Sequence, residues 1–308
     1  MKDRAPRPRM TPMSYMREEF ASQVPVTFEL HGYELAVPSR HVLLRYHAPG
    51  GDGFQPYREQ GLIQVVSALQ QLHRRGVAVD IGANVGDTLA IIARYSALDV
   101  LCVEPSDYFL PYLRHNIARH FADRARVLDW FITARDDEPG RALYHWGGTA
   151  RPVDGPYSEN GTVAPIGRLI GEAGDISLLK IDTDGADLAI IEGCLEAQAP
   201  TFPIYFELEI PTADRREARA SCARAQRFFS RMADAGYRQA FVWDDPGRFY
   251  GRIDLSADMT VKNLLNYLTR LRHRPIWGFD ICLTHNGDSV MTEALSKLIS
   301  EDLSIPLD

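Results

Sequence analysis

The chain is poor in cysteine, in net charge and in long apolar runs, and each shortage removes a class of function. Its four cysteines, Cys102, Cys194, Cys222 and Cys282, stand far apart and form no Cys-x-x-Cys pair. That argues against a disulfide framework or a cysteine zinc site. Three of them sit in apolar runs, so they read as reduced core residues of a cytoplasmic protein. The formal net charge over 308 residues is only −7. No bulk field therefore draws the chain to nucleic acid or to an anionic membrane. No apolar run approaches the length that spans a bilayer. The one basic stretch, Met1-Lys2-Asp3-Arg4-Ala5-Pro6-Arg7-Pro8-Arg9, has no apolar core behind it. It reads as part of a disordered tail over residues 1–20 rather than a targeting segment.

What is present is an alternating pattern. A hydrophobic fraction of 45% with 24% charged residues suits one large α/β domain with extensions. Val26–Leu30 and Tyr33–Val37 flank His31-Gly32 and predict a β-hairpin. Pro49–Gly53 predicts a loop. Leu62, Ile63, Val66, Leu69 and Leu72 keep helical spacing over Arg58–Leu72. Val77–Ile81, Val100–Glu104, Val127–Ile132 and Ile176–Ile181 read as strands. Gly86–Tyr95, Tyr108–His120 and Leu188–Ala197 read as helices among them. Ile204–Ile210, the helix Arg215–Ala235, a strand through Val242-Trp243, the helix Leu264–Leu271, the strand Phe279–Thr284 and the helix Met291–Ile299 follow. Such alternation predicts a parallel sheet with right-handed crossovers. Ala142–Trp146 predicts a short extra strand, and Gly147–Thr162, rich in Gly, Pro and polar residues, a mobile loop or lid. The exposed-face spacing of Arg224, Arg227 and Arg231 reads as a solvated helix surface. Residues 21–75 form an N-terminal hairpin and helix extension, and 76–300 the main domain.

Two strand ends carry the chemistry. Val79-Asp80-Ile81-Gly82-Ala83-Asn84-Val85-Gly86-Asp87-Thr88 is an apolar strand ending in an acid, a Gly-x-Asn-x-Gly turn and a helix start. Glu104 closes the next strand, 22 residues after Gly82. This is the order of an adenosine-binding βαβ unit, with Glu104 placed to accept from the ribose hydroxyls. A dinucleotide fingerprint needs glycine where Asn84 stands, which disfavours NAD and FAD. S-adenosyl-L-methionine has no pyrophosphate; Asp80, the turn backbone and the helix start near Gly86 would hold its methionine end. The second strand end is Leu178-Leu179-Lys180-Ile181-Asp182-Thr183-Asp184-Gly185-Ala186-Asp187. Asp182 should share the rim with Asp80 and Glu104, which suits a general base. Asp184 or Asp187 reads as the cap of the next helix. Asp182-Thr183-Asp184 is also an Asp-x-Asp, which would hold a divalent metal and a sugar-nucleotide diphosphate. An EF-hand loop is excluded, because its Gly must follow a third acid at the fifth position and here Gly185 stands fourth. Glu207 and Glu209 share one strand face and either meet basic neighbours or face a substrate. His145 reads as a surface residue of a loop.

These blocks resemble the FkbM family of S-adenosylmethionine-dependent methyltransferases. Val79–Thr88 is similar to its Asp-x-Gly-Ala-Asn-x-Gly signature. Val103-Glu104-Pro105-Ser106, continuing to Tyr112–Ile117, resembles its Glu-Pro block and following helix. Leu179–Asp187 resembles its Lys-x-Asp-x-Glu-Gly-x-Glu block, with Asp184 and Asp187 where glutamate is usual. Phe206-Glu207 and Phe279–Cys282 resemble later strand motifs, so the likeness covers roughly residues 75 to 285. It implies a class I methyltransferase (Rossmann-like) fold of three αβα layers, with a seven-stranded, mostly parallel sheet whose last strand is antiparallel. It implies O-methylation of a hydroxyl on a sugar, glycan or natural product. The expected cofactor contacts are Asp80, Gly82, Ala83, Asn84, Gly86, Asp87, Thr88, Glu104, Pro105, Ser106, Ile132, Lys180 and Asp182. Asp182, then Glu207, are the expected bases. A metal-dependent glycosyltransferase and a non-catalytic S-adenosylmethionine-binding module are the alternatives. Nothing in the sequence points to a metal outside the Asp-x-Asp or to an oligomeric state.

Overall fold

The computed structural model describes residues 25–47, 58–146, 148–210, 215–244, 246–270 and 278–303. The basic tail and the Pro49–Gly53 loop lie outside the described residues. β1 (Pro25–Leu30) and β2 (Tyr33–Pro38) pair antiparallel. His31 and Gly32 turn between them at φ 51° and 87°, as a two-residue hairpin loop requires. One helical turn, α1 (Leu43–Tyr46), precedes α2 (Gln60–Gln71). Then come β3 (Val77–Ile81), α3 (Asp87–Tyr95), β4 (Asp99–Val103), α4 (Leu110–His120) and β5 (Ala125–Leu128). β6 (Trp130–Thr133), β7 (Arg141–Trp146), β8 (Thr149–Pro156) and β9 (Thr162–Pro165) lead to α5 (Ile166–Ala173) and β10 (Ile176–Ile181). α6 (Asp187–Ala197), β11 (Ile204–Glu209), α7 (Arg215–Asp234), β12 (Gln239–Asp244) and β13 (Phe249–Asp254) follow. α8 (Asp258–Arg270), β14 (Gly278–Thr284) and α9 (Ser289–Leu303) complete the order.

The central sheet runs β13-β12-β14-β11-β10-β3-β4-β5. The block from β5 to β11 is parallel, and β14 is antiparallel to both its neighbours. The antiparallel last strand matches the expectation, but the sheet has eight strands, not seven. The extra strand is β13, which folds back on β12 after a turn with Gly247 at φ 89°. Val127–Ile132 is not one strand either. It breaks at Asp129, so that β5 stays in the sheet while β6 leaves it to pair with β9. The expected loop at Gly147–Thr162 is mostly a strand: β8 pairs with β7 along its length as an antiparallel arm. Composition misled there, because the pairing comes from a partner strand rather than from local propensity.

Alternation along each strand feeds two cores. Val79, Ile81, Leu101, Val103, Leu179 and Phe206 face α5, α6, α7 and α8. Ala78, Cys102, Leu178, Tyr205 and Phe241 face α2, α3, α4 and α9. Three layers result. Cys102, Cys194 and Cys282 are buried and all four cysteines are free. Arg224, Arg227 and Arg231 are exposed on α7. The N-terminal hairpin is bolted to α4 by Asn116, which is fully buried. Its Oδ1 accepts from Ala36 N at 2.8 Å, and its Nδ2 donates to Ala36 O at 2.9 Å and Val85 O at 2.8 Å. Among the described residues, no helix is long and apolar enough to cross a membrane.

Candidate functional site

The carboxyl ends of the parallel strands open into a cleft lined by both crossover turns. Its floor is two crossover turns pressed together. Gly82 sits at φ 85°, and a Cβ there would fall 1.8 Å from the carbonyl oxygen of Asp182. Only glycine fits this contact and this backbone. Asp182 N donates to Ile81 O at 2.9 Å and locks the second turn to the first.

The amides of the Gly82 turn point inward. Gly82 N and Ala83 N both donate to Val103 O, at 2.9 and 3.1 Å, and Gly86 N donates to Ala83 O at 2.8 Å. Asn84 N donates to Glu104 Oε2 at 2.8 Å, and Ser106 N to Glu104 Oε1 at 2.8 Å. Glu104 is 3% exposed. Burial pushes its pKa up to about 7, against the pull of those two backbone bonds. Each carboxylate oxygen still has a lone pair for a further donor.

Asn84, at φ 50°, joins three segments. Its Oδ1 lies 3.1 Å from His41 Nε2, and its Nδ2 donates to Gly148 O at 2.7 Å. His41 Nδ1 accepts from Leu43 N at 3.3 Å, so Nε2 is the nitrogen assigned the proton. Burial lowers the His41 pKa to about 4, which keeps the ring neutral. The arm makes a second contact: His145 Nε2 lies 2.6 Å from Ser106 Oγ, and the ring packs on Tyr108 and Phe109. His145 is thus a strand residue turned toward the turn after β4, not the surface loop residue its sequence context suggests.

The parallel register sets Lys180 beside Asp80. Lys180 Nζ stands 3.1 Å from Asp80 Oδ1 and 3.4 Å from Asp182 Oδ2. Burial pulls the Lys180 pKa down, but Asp80 and Asp182 outweigh it and hold it above its ordinary value. Burial pushes Asp80 up against the pull of Lys180; the contact distance favours the ionised pair. The approach is an ion contact rather than an aligned hydrogen bond, so both Asp80 oxygens lack a hydrogen-bond donor among the described residues. Asp87 lines the cleft with its pKa pushed to about 7, by burial first and then by Glu59.

Asp187 opens α6 but does not cap it, since Ala186 holds the cap position; its carboxylate braces the second turn instead, accepting from Thr183 N at 3.1 Å and Gly185 N at 3.2 Å. Burial, then Asp182, raise its pKa to about 6. Asp184 does not cap. It sits at φ 54°, and Arg151 of the arm pairs with it at 3.2 Å and with Glu209 at 3.4 Å. Glu207 lines the cleft beside Asp182, whose side chain is 46% exposed.

Of the expected contacts, Gly82, Asn84, Asp87, Thr88, Glu104, Pro105, Ile132, Lys180 and Asp182 line the cleft. Asp80, Ala83, Gly86 and Ser106 do not; they are buried behind it. Sequence reasoning missed the aromatic wall of Phe109, Trp130 and Phe131, the arm residues Leu143, Thr149 and Pro152, and Arg58. The Trp130-Phe131-Ile132 run was the available signal for the wall; Arg58 belongs to no motif. Among the described residues, no group of three or more His, Cys, Asp or Glu side chains is arranged to hold a metal ion.

No protein-family model matches the chain, and no curated protein does. Similar solved structures include a precorrin-6y C5,15-methyltransferase from Geobacter metallireducens, 12% identical, covering 74% of this chain and 87% of that one at a TM-score of 0.37. An O-methyltransferase from Bacillus cereus in complex with SAH is 14% identical, covering 73% of this chain and 80% of its own at 0.39. An rRNA methylase from Streptococcus thermophilus is 8% identical, covering 73% and 94% at 0.39.

Proposed function

We propose that this chain is an S-adenosylmethionine-dependent methyltransferase that methylates a hydroxyl of a sugar, glycan or natural product. The observation that carries this reading is where the turn amides go. Four of them are consumed by Val103, Ala83 and Glu104, so those amides are not available to cradle a pyrophosphate. The same turn builds a buried carboxylate with lone pairs to spare beside an aromatic wall. That suits an adenosine without phosphates. The Asp-x-Asp reading fares worse, because Asp184 is drawn to Arg151.

The residues present fit the cofactor. Glu104 would take the ribose hydroxyls, Phe109 and Trp130–Ile132 the adenine, and Asp87, which lines the cleft, the methionine ammonium. When bound, S-adenosylmethionine supplies a methyl group on a positively charged sulfur. The chain's own part is alignment and proton removal. Asp182 takes the proton of the acceptor hydroxyl as the new bond forms; Lys180 Nζ, 3.4 Å away, orients it and balances its charge. Glu207 is the second candidate for that proton. The rim sets Asp182, Asp184, Glu207 and Glu209 against Arg151, which favours neutral, hydroxyl-rich acceptors over anionic ones.

Isothermal titration with S-adenosylmethionine, a sugar nucleotide and NAD, followed by methyl-transfer assays over hydroxylated acceptors, tests the reading. Binding of the sugar nucleotide with none of S-adenosylmethionine would overturn it. Cofactor binding without transfer to any acceptor would favour a binding module.

A further inference from the structure

We propose that Asp184, the second acid of the Asp-x-Asp, is the post to which the β7–β8 arm is latched, and that releasing this latch opens the end of the cleft that carries Asp182. Naming that end the acceptor end rests on the reading above. Asp184 does not cap α6, where Ala186 holds the cap position. Its side chain is only 17% exposed, and two residues of β8 reach it. Arg151 Nη2 donates to its Oδ1 at 3.2 Å, and the Thr149 side chain hydrogen-bonds the same carboxylate. Arg151 Nη2 also donates to Glu209 Oε2 at 3.4 Å, at the end of β11. Ala150 and Pro152, on either side of Arg151, line the cleft, and Arg151 does not. It therefore holds the strand by the face opposite to the one that walls the cleft.

The arm is fastened differently on its other side. Gly148 O accepts from Asn84 Nδ2 at 2.7 Å, and just past β8 the Tyr157 hydroxyl donates to Pro105 O at 2.8 Å. These are bonds between neutral groups and are indifferent to salt. The fastening at Asp184 is ionic, and the Arg151 side chain is half exposed, so water and salt loosen it first. The arm is thus hinged beside Asn84 and Pro105 and latched at Asp184. Release exposes the turn of Asp182 and leaves the Glu104 side of the cleft covered.

The test labels the arm from within the cleft. Ala150→Cys is placed in a Cys222→Ser chain, whose other cysteines are buried, and its reaction with N-ethylmaleimide is timed. Asp184→Asn and Arg151→Ala should each speed labelling roughly two- to fivefold, the range for an exposed ion pair. Asparagine tolerates the left-handed backbone at residue 184, so the first variant removes charge without straining the turn. The two variants change local charge in opposite directions, so a rise in both excludes a field effect on the thiol. Raising salt should speed labelling of the parent and leave Arg151→Ala unmoved. The gain in the double variant should be smaller than the product of the single gains, because both act on one contact. Unchanged labelling in Asp184→Asn, or a gain in the double variant equal to that product, would overturn the proposal. Thermal unfolding midpoints check that each variant folds. S-adenosylhomocysteine affinity should stay within twofold in Asp184→Asn; a parent chain that binds none of it while the labelling pattern holds would sink the cofactor reading and leave the latch standing.

Discussion

Glu104 should make cofactor binding depend on pH in a direction its surroundings dictate. Its pKa stands at about 7 against an ordinary 4.5, because burial outweighs the bonds from Ser106 N and Asn84 N. Without ligand it therefore holds a proton through much of the range between those values. Ribose hydroxyls donating to its remaining lone pairs favour the charged form, so binding lowers the pKa and releases a proton. Affinity must then rise with pH, by at most tenfold per pH unit, and level off above about pH 7. If the bound carboxylate returns to 4.5, the whole effect is about 3 kcal/mol, or roughly 300-fold. Titration of S-adenosylhomocysteine from pH 5.5 to 8, in buffers of different ionisation heat, reads affinity and proton release together. Asp87, also near 7, adds a second proton if the ligand ammonium settles beside it. Glu104→Gln isolates the first: proton release should fall by one, and overall affinity should drop, since an amide can accept only one of the two backbone N–H bonds. An affinity independent of pH, or a slope unchanged in Glu104→Gln, would refute the reasoning. The unliganded fold carries the matching signature. Its contribution from Glu104 is fullest below pH 4.5 and is lost as pH rises through 7.

The other expectations concern single contacts. Asp182→Asn should cut methyl transfer by roughly 100- to 10,000-fold with S-adenosylhomocysteine affinity kept within a few-fold; unchanged turnover would remove Asp182 as the base. Lys180→Met strands Asp80 as a buried carboxylate and should cost about 3–5 kcal/mol in chemical unfolding, far more than Lys297→Met on the surface. Asn84→Ala deletes the bonds to His41 and Gly148 and should cost about 1–3 kcal/mol, with protease sensitivity rising in the arm; a variant as stable as the parent would show that the junction at Asn84 is incidental.

What the sequence disclosed follows the range of the forces involved. β3, β4 and β10 were legible because each is an apolar run between breakers, and buried parallel strands need no partner to be recognised. The Gly82 turn was legible because its left-handed backbone limits which residues can stand there. The arm was not. β8 contains Pro152, Gly155 and Pro156 and owes its extended form to β7, a pairing that leaves little local trace. His145 was misread as part of the same error. β13 went unseen although Gly247 precedes an alternating run, and Arg58 carried no pattern at all. Asp80 was placed among the cofactor contacts by motif, whereas side-chain alternation turns it toward the core beside Lys180.

The bolt at Asn116 bears on how such a chain can change over evolution. An extension that merely rests on a core can be exchanged as a cassette. This hairpin cannot, because Ala36 lends its backbone to a side chain of α4 that also grips Val85, inside the Gly82 turn. A chimera carrying a foreign hairpin must supply the same backbone edge opposite residue 116, or replace Asn116 by an apolar residue at the same stroke. Inheritance of the two segments is thereby coupled, and any drift in the extension is felt at the Gly82 turn.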